Sequence, residues 1–365
     1  MKKTIFVILF ICTQLLYSKV ILESKSEDVS FKVELIAQGF GVIWGMDFLD
    51  KNRLIFTEKS GKVSLLDTNS LKVTSLIGTP KDLLVLGQGG LMDVKLKNKW
   101  LYFTYVKDVR GRGATTLTRA RLQGTRLVDW EDLHVSKSVT STGYHFGSRI
   151  AFDENGYLFY SIGDRGVRPN GQDINTHAGS ILRLHVDGTV PKDNPFVNKD
   201  GLDEIYSFGH RNPQGLFYDK YNKKLYAIEH GPRGGDEINV IKKGANYGWP
   251  IISHGKEYGG PNAVGEGTHK EGVEDALKVY IPSIAPSSII VYSGKKFPQW
   301  KSDLFSGALK LKHLNRIVLD DQGAVVKEER LLEKLRYRIR DVKESQNGDI
   351  YVSTDNGLIL RITPM

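Results

Sequence analysis

The stretch YHFGSRIAFDENGYLFYSIGDRG, residues 144–166, contains the pattern that decides the fold. The apolar alternation in residues 146–153 predicts one β-strand, and the β-rich run LFYS (158–161) predicts a second. Residues 153–156, DENG, are typical turn formers and predict that the chain reverses between the two strands. The stretch is therefore a candidate β-hairpin.

A histidine and an aspartate stand at the open end of this hairpin. His145 precedes the first predicted strand and Asp164 follows the second, so a two-stranded hairpin brings them together. A histidine accepts a proton near neutral pH, and a neighbouring aspartate fixes its tautomer and raises its basicity. The pair is a candidate base and its orienting residue. A structural aspartate in a turn explains Asp164 equally well from its residue type.

The β-rich run is one copy of a repeat. Further copies begin at residues 54, 101, 225, 304 and 350, so that neighbouring copies start 46 to 79 residues apart. A second apolar alternation precedes each copy. Strand repeats at this spacing, with loop insertions, are typical of propeller blades. The sequence predicts an all-β fold, a six-bladed β-propeller of four-stranded antiparallel blades, with one short helical turn over 328–335.

Large polar and aromatic residues precede the predicted innermost strands. They are Trp44, Gln88, His145, the pair Arg211 and Asn212, and the pair Arg338 and Arg340. Chain segments that enter inner strands lie at one end of a propeller axis, so these residues should converge at a channel mouth. Solvated loops explain any one of them alone, but convergence from several blades predicts a binding site.

Residues 1–18 have the pattern of a secretory signal peptide. Lys2 and Lys3 precede a short apolar run that ends at the small residue Ser18. The run is too short for a typical membrane span, so we expect no span in the mature chain; a retained N-terminal anchor is the alternative. We predict a periplasmic or secreted protein in which residues 19–365 form a single propeller domain. The only cysteine, Cys12, lies in this leader, so disulfide and thiol chemistry are not expected.

The basic residues are spread along the chain. The net charge is +9, with no run of basic residues, so we expect no nucleic-acid partner. A basic surface of this kind is either simply solvated or serves an anionic ligand. Signatures of serine hydrolases, zinc enzymes and thiol nucleophiles are missing from the sequence.

The segment EHGPRGGDEIN (229–239) contains a second candidate site. A tight turn at Gly231 and Pro232 can aim carbonyl oxygens at a hard cation, and Asp236 and Glu237 offer further oxygen ligands of the calcium type. Residue types alone favour the simpler interpretation, which is an ordinary β-turn beside an exposed acidic pair.

From about Trp44 to Ile362 the chain resembles a known enzyme family. It is similar to the soluble aldose sugar dehydrogenases of the glucose/sorbosone dehydrogenase family, which use pyrroloquinoline quinone (PQQ). The resemblance rests on motifs in one order: GQGGLMD, HFGSRIAFD, GYLFYSIGDRG, GHRNPQGL, EHGPRGGDEIN, NYGWP, SIAPSS, GALK and RIRDV. One departure is Ser148, which stands where the family usually has a second glycine.

The resemblance implies a reaction. His145 would remove the proton from the C1 hydroxyl of an aldose sugar, Asp164 would orient that histidine, and Arg211 would contact the quinone oxygen of PQQ. The product would be a lactone, and a quinone or cytochrome-type acceptor would take the electrons. The residues that match the family's PQQ contacts are Gln88, Arg211, Asn212, Tyr258, Ala308, Leu309, Lys310, Arg338, Ile339 and Arg340.

The resemblance also implies two Ca²⁺ sites. One is catalytic and matches the carbonyls of Gly231 and Pro232, and the other is structural and matches Glu237 and Tyr247. The charges fit PQQ, a planar molecule with three carboxylates, because arginine's fork suits carboxylates. Two alternatives remain: a non-enzymatic ligand-binding propeller, which should have lost part of the basic set, and a Ca²⁺-dependent lactonase, which needs acidic metal ligands at the axis.

Overall fold

The computed structural model describes residues 18–365, which form six antiparallel β-sheets around one axis. The all-β, six-bladed propeller predicted from the sequence is therefore confirmed. The predicted signal peptide lies outside the described residues, except for Ser18. Within residues 18–365, no helix is both long and apolar enough to span a bilayer.

The chain begins with two strands and then builds the blades in order, each from the axis outward. The first two strands are β1 (Lys19–Lys25) and β2 (Ser30–Gln38). Blade one contains β3 (Ile43–Phe48), β4 (Arg53–Glu58), β5 (Val63–Asp67) and β6 (Val73–Leu76). Blade two contains β7 (Leu91–Lys97), β8 (Trp100–Val109), β9 (Arg112–Gln123) and β10 (Arg126–Val135). Blade three contains β11 (Ile150–Phe152), β12 (Leu158–Ile162), β13 (Ser180–Leu184) and β14 (Ile205–Phe208).

The remaining blades continue the pattern. Blade four contains β15 (Pro213–Asp219), β16 (Lys224–Glu229), β17 (Asp236–Ile241) and β18 (Lys278–Tyr280). Blade five contains β19 (Pro286–Val291), β20 (Leu304–Ala308), β21 (Leu314–Leu319) and β22 (Val325–Leu331). Blade six contains β23 (Ile339–Glu344), β24 (Ile350–Thr354) and β25 (Leu358–Pro364). Three short 3₁₀ helices lie in loops: Arg168–Gln172, Pro298–Trp300 and Glu333–Leu335.

The N-terminal strands close the ring. Strand β2 pairs with β25, with Phe31 opposite Pro364, and β1 pairs with β2 as a fifth, outermost strand of blade six. The sequence predicted four strands per blade, and this blade has five because β1 covers the edge that β2 would otherwise present to solvent. Closure joins the two ends of the described chain in one sheet.

The second strand of each blade explains why the repeat was visible. Strands β12, β20 and β24 are buried along their whole length, because neighbouring blades cover both faces of each sheet. In the sequence, strands of this kind appear as nearly continuous runs of apolar and aromatic residues. The helical turn predicted over 328–335 is wrong for its first part: β22 continues to Leu331, and only Glu333–Leu335 is helical.

The axis holds a cluster of buried charges beneath the channel mouth. At its centre is Arg149, which is 2% exposed and ion-paired with Asp93 at 2.9 Å and Asp341 at 3.3 Å. The guanidinium also donates to backbone carbonyls from four other blades: Trp44 at 3.2 Å, Gln214 at 3.0 Å, Ser287 at 3.5 Å and Arg340 at 3.0 Å. Arg149 itself belongs to blade three, so one side chain contacts all the remaining five blades. We call it the axial arginine.

Candidate active site

His145 and Asp164 form a close hydrogen-bonded pair. The distance from His145 Nδ1 to Asp164 Oδ1 is 2.6 Å, and the His145 side chain is 15% exposed whereas Asp164 is buried. His145 lies in the loop before strand β11, as predicted, although that strand is shorter than the predicted 146–153 and begins only at Ile150. The hairpin still brings the two residues together. The alternative of a purely structural aspartate does not account for this contact.

The other contacts of Asp164 fix its carboxylate in place. Trp249 Nε1 donates to Oδ2 at 2.8 Å, and the Gly166 N–H donates to Oδ1 at 2.7 Å. An ionised carboxylate accepts only, so it takes the Nδ1–H of His145 and selects that tautomer. The Nε2 lone pair of His145 is then left to accept a proton from a bound hydroxyl. The contacts of Asp164 are therefore those that the predicted orienting residue would need.

Arg211 is held from two sides. Its N–H donates to Glu229 Oε2 at 2.8 Å, and its Nη1 donates to the His230 carbonyl at 3.1 Å. The guanidinium carbon lies 5.3 Å from the centre of the Trp249 ring, and Nη2 is 3.4 Å from the hydroxyl of Tyr258. Tyr258 is largely exposed. The structure thus places Arg211 and Tyr258 side by side, close to the tryptophan that holds Asp164.

A cavity of about 290 Å³ occupies the channel mouth. The sequence-predicted residues among its lining are Trp44, Gln88, Asn212, Leu309, Arg338 and Arg340. Most of the predicted segments therefore converge at one mouth. His145 itself does not line this cavity, although the next residue, Phe146, does, and Arg211 lines a separate, smaller cavity. Three basic residues and one acidic residue line the cavity, which gives 3 − 1 = +2. His230 adds no charge, because burial lowers its pKa to about 3.

Arg338 and Arg340 share one carboxylate. Arg338 Nε lies 2.7 Å from Asp355 Oδ2, and Arg340 Nε lies 2.8 Å from Asp355 Oδ1. The two arginines hold the pKa of Asp355 below its ordinary value against the effect of burial. Both arginines therefore face the same side, as expected for residues two apart on an extended chain. Asp355 neutralises one of the two charges and fixes both guanidinium groups in position.

Three other predicted cofactor residues are placed differently. The side chains of Ala308 and Ile339 are buried in the hydrophobic core, so only their backbone atoms remain for a ligand. The Ile339 carbonyl already accepts from Ser287 Oγ at 2.8 Å. Lys310 is exposed at the end of the segment, whereas its neighbour Leu309 lines the cavity.

A second, small cavity of about 20 Å³ lies beside Arg211. Gly231, Glu237 and Tyr247 all line it, so members of both predicted Ca²⁺ sites share one space. Burial and the nearby carboxylate of Glu229 raise the pKa of Glu237 well above its ordinary value. A carboxylate in such a position fits a bound cation, which would remove the cost of its charge. The Tyr247 hydroxyl donates to the Val240 carbonyl at 2.7 Å, so its own carbonyl is the ligand it can offer.

The acidic pair beside this cavity is not an exposed surface pair. Asp236 is 1% exposed and accepts the N–H of Gly231 at 2.9 Å and that of Ala285 at 2.8 Å. Burial raises the pKa of Asp236 to about 6. The interpretation favoured by residue types alone is therefore wrong. Asp236 holds the turn at Gly231, and the Pro232 carbonyl lies 3.4 Å from Ser283 Oγ, which is a weak contact.

Several residues of the site were missed from the sequence. Trp249 and Glu229 lie inside motifs of the resemblance, NYGWP and EHGPRGGDEIN, so the motif boundaries were the available signal. Lys59 lines the large cavity and donates to the Gly87 carbonyl at 2.9 Å. Asp355 follows β24 in the sequence TDNG, which is indistinguishable from an ordinary turn. Lys59 reaches the mouth only through the fold, whereas Asp355 lies opposite Arg338 in the β23–β24 hairpin.

A group of possible metal ligands lies away from the mouth, between blades two and three. The ligand atoms of His134, His177 and Glu204 lie within 4.8 Å of one another. The Lys137 N–H donates to His177 Nδ1 at 2.9 Å, so Nε2 carries the proton and donates to Glu204 at 3.1 Å. This nitrogen has no lone pair for a metal, and the group is better explained as a hydrogen-bonded link between two blades.

The acidic residues at the axis are also accounted for by ion pairs. Besides the axial arginine's two partners, Lys95 lies 3.9 Å from Asp47 and Lys343 lies 3.4 Å from Asp341. The acidic metal cluster that a lactonase needs at the axis is therefore replaced here by paired charges. The mouth above them is basic and rich in amides.

The axis of the propeller thus carries a histidine paired with a buried aspartate and, next to it, a cavity with a net positive lining. Comparison with known proteins identifies the family. Residues 40–361 match the Glucose / Sorbosone dehydrogenase family, and the chain belongs to it. It is an oxidoreductase of that family, which confirms the resemblance found in the sequence.

Individual relatives agree with this assignment. The aldose sugar dehydrogenase YliI of Escherichia coli (strain K12) is 37% identical over 349 residues, covering 91% of this chain and 92% of the relative. Quinoprotein glucose dehydrogenase B of Acinetobacter calcoaceticus is 28% identical over 421 residues, covering 91% of this chain and 87% of the relative. The crystal structure of the soluble aldose sugar dehydrogenase from Escherichia coli in the apo-form superposes with a TM-score of 0.87 at 33% identity, covering 92% of this chain and 100% of that chain.

Proposed function

We propose that this protein oxidises aldose sugars at C1 to lactones, with PQQ and Ca²⁺ bound at the channel mouth. The observation that carries the proposal is the 2.6 Å contact between His145 and Asp164 beside a cavity with a net charge of +2. The names of the relatives support it, since one is an aldose sugar dehydrogenase and another a quinoprotein.

The proton is the part of the reaction that the protein's own residues handle. His145 accepts the proton of the anomeric hydroxyl at Nε2, and Asp164 stabilises the imidazolium that forms. As the O–H bond breaks, the C1–O single bond becomes a double bond and the C1 hydrogen leaves with its electron pair. The sugar loses two electrons and two hydrogens, one as the proton on His145 and one as hydride, and becomes a lactone.

Five of the residues proposed to hold the cofactor line the large cavity, namely Gln88, Asn212, Leu309, Arg338 and Arg340, and the others lie outside its lining. PQQ, when bound, supplies the hydride acceptor, and Ca²⁺ polarises it as a Lewis acid. Arg338 and Arg340 offer N–H groups to carboxylates, and Gln88 and Asn212 offer amides. The Asp355 carboxylate keeps both arginines fixed before the ligand arrives. The residues proposed to hold PQQ are Gln88, Arg211, Asn212, Tyr258, Ala308, Leu309, Lys310, Arg338, Ile339 and Arg340.

The proposed cation ligands lie at or next to the small cavity, which Gly231, Glu237 and Tyr247 line and Pro232 does not. We assign the carbonyls of Gly231 and Pro232 to a catalytic Ca²⁺, and Glu237 with the Tyr247 carbonyl to a structural Ca²⁺. The raised pKa of Glu237 supports the second assignment, because its charge lacks a basic partner within 4.0 Å among residues 18–365. Oxygen donors of this kind are those that Ca²⁺ prefers.

The location and the electron acceptor complete the proposal. A leader of signal-peptide type over residues 1–18 supports export to the periplasm or the medium, with cleavage near Ser18. N-terminal sequencing of protein recovered from the periplasm tests this. A quinone or cytochrome-type acceptor then reoxidises the cofactor, and reduction of added quinones and cytochromes in stopped-flow experiments tests that part.

The central experiment is reconstitution. Purified apo protein is loaded with PQQ and Ca²⁺ and assayed for dye reduction with a panel of aldoses, beside His145→Ala prepared in the same way. We expect turnover by the wild type with lactone as product, and PQQ binding without turnover by His145→Ala. PQQ that fails to bind, together with no activity on any aldose, contradicts the proposal. Normal turnover by His145→Ala contradicts only the assignment of the base.

A further inference from the structure

The backbone around His145 is held in an unfavourable conformation. His145 has φ +51°, and Gly147 and Ser148 follow with φ +64° and +95°. A non-glycine residue in the left-handed region costs about 1–3 kcal/mol and persists only where its surroundings enforce it. Ser148 occupies the position where the family usually has glycine, and the backbone there has the conformation that glycine favours. Direct hydrogen bonds hold part of this loop: the His145 N–H donates to Gln88 Oε1 at 2.9 Å, and the Gly147 N–H donates to Asn212 Oδ1 at 3.2 Å. The segment that precedes His145 needs a further support.

Arg165 is placed to hold it. The guanidinium donates through Nη1 to the Tyr144 carbonyl and through Nη2 to the Thr142 carbonyl, the latter at 3.0 Å. Its carbon lies 3.4 Å from the centre of the Phe146 ring. Arg165 thus contacts the residue before His145 through a hydrogen bond and the residue after it through stacking. The Thr142 hydroxyl donates back to the Arg165 carbonyl at 2.6 Å, so the two segments bind each other reciprocally.

Arg165 is buried, and its side-chain hydrogen bonds all go to this loop, while its Nε has no hydrogen-bond partner among residues 18–365. The side chain is 1% exposed, and no carboxylate lies within 4.0 Å of it among residues 18–365. A buried charge without an ion pair costs several kcal/mol, so its hydrogen bonds and ring contact must repay that cost. An apolar residue at position 165, or a lysine there that reached the surface, would not carry this desolvation cost. Asp164 and Arg165 are neighbours in the chain. Asp164 orients the imidazole of His145, and Arg165 helps to fix the backbone that carries it.

We propose that Arg165 is a positioning residue for the reaction, which sets the backbone of His145 while Asp164 sets its ring. This inference rests on the proposed role of His145 as the base. It predicts that loss of the planar fork misplaces the imidazole and affects the cofactor cavity less, because Arg165 itself lines neither cavity and reaches the large one only through the Phe146 ring. A displacement of about 1 Å at a reacting group costs up to about 100-fold in rate.

The test compares Arg165→Lys, which keeps the charge but loses the fork, with Arg165→Met, which loses both. We expect kcat to fall roughly 10- to 100-fold in both variants, while KM for the aldose and the affinity for PQQ change less than about threefold. The milder Thr142→Val removes only the reciprocal bond, which is worth roughly 1 kcal/mol, so kcat should fall a few-fold at most. Arg121→Lys is the matched control, since Arg121 lies on β9 and is 56% exposed beside Asp129; it should behave as wild type.

A spectroscopic readout separates positioning from general damage. Nitrogen-15 NMR of labelled histidine, with the His145 signal assigned from His145→Ala, should show a single Nδ1–H tautomer in the wild type and a mixture in the Arg165 variants. Wild-type kcat in both Arg165 variants, or an unchanged tautomer alongside lost PQQ affinity, overturns the inference. If His145→Ala is itself active, the base assignment fails instead, so the two failures are distinguishable. Should Arg165→Met not fold, Arg165→Lys and Thr142→Val still decide the matter.

Discussion

Replacing Asp164 by asparagine tests the centre of the proposed site. The carboxylate accepts from three groups, namely His145 Nδ1, the Gly166 N–H and Trp249 Nε1. An asparagine has one acceptor oxygen and one NH₂ group, so it cannot satisfy all three donors. If its oxygen faces His145 and Gly166, its NH₂ meets the Trp249 N–H, and one buried donor is left without a partner.

The size of the effect follows from these contacts. A hydrogen bond to a charged group is worth about 1.5–3 kcal/mol, and the stabilisation of the imidazolium is the part that acts on the rate. At about 1.4 kcal/mol per tenfold change, kcat should fall roughly 10- to 150-fold. The unsatisfied donor should lower the free energy of unfolding by about 1–3 kcal/mol.

The assay is dye-coupled turnover at saturating PQQ, Ca²⁺ and aldose, with urea unfolding of the same samples. Trp249→Phe is the matched control, because it removes one donor to Asp164 but keeps the carboxylate charge. It should lose about 1 kcal/mol of stability and less than about fivefold in kcat. An Asp164→Asn variant with wild-type kcat, or with no greater loss than Trp249→Phe, would refute the claim that the carboxylate charge supports the base.

Three further predictions address the cofactor, the cation and the fold. Arg340→Met reduces the charge of the cavity lining from +2 to +1 and should weaken PQQ binding roughly 10- to 100-fold in fluorescence titrations. Arg340→Lys should lose less affinity for PQQ. Equal affinity in the wild type and both variants contradicts the assignment. The pKa of Glu237 is raised from 4.5 to about 8, so the Ca²⁺-free protein should lose stability as pH rises through this range, by at most about 1.4 kcal/mol per pH unit. The gain in Tm on adding Ca²⁺ should therefore be larger at pH 8 than at pH 5. An equal gain at both pH values, or the same gain in Glu237→Gln, argues against a cation there. Phe31→Ala, in the closing strand β2 and 5.9 Å from the Trp300 ring centre, should cost about 3–5 kcal/mol in urea unfolding, and a loss below about 1 kcal/mol would show that closure does not depend on this packing.

The blades were predictable because their second strands carry a strong local signal. Strands such as β12 are covered on both faces, so every position favours an apolar or aromatic residue and the repeat survives loops of different length. The contact of His145 with Asp164 was predictable for a related reason. Both residues belong to one hairpin, and the geometry of a hairpin fixes which positions meet.

The remaining features depend on contacts that the sequence pattern does not show. Asp355 faces Arg338 across the β23–β24 hairpin, where Ile339 is opposite Thr354, but the turn sequence TDNG does not indicate that its carboxylate joins the mouth. The fifth strand of blade six depends on closure of the ring, because β2 pairs with β25 from the other end of the chain. The burial of Asp236 depends on the segment before blade five, whose Ala285 N–H donates to it. Burial is a property of what packs on a residue from elsewhere in the chain, and residue type alone led to the wrong interpretation for Asp236.

The axial arginine has a consequence for how the chain can be rearranged. Its guanidinium takes acceptors from every other blade, and three of them share the two N–H groups of Nη2, so loss of blade two, four or six would leave a buried N–H without an acceptor. Circular permutation moves the chain ends but keeps all the acceptors, and should be tolerated at exposed loops. Deletion of a single blade removes a partner that water cannot replace at the axis. The contacts of Arg149 therefore match a propeller of six blades. Evolution of this fold by loss or gain of a repeat would have to change Arg149 at the same time.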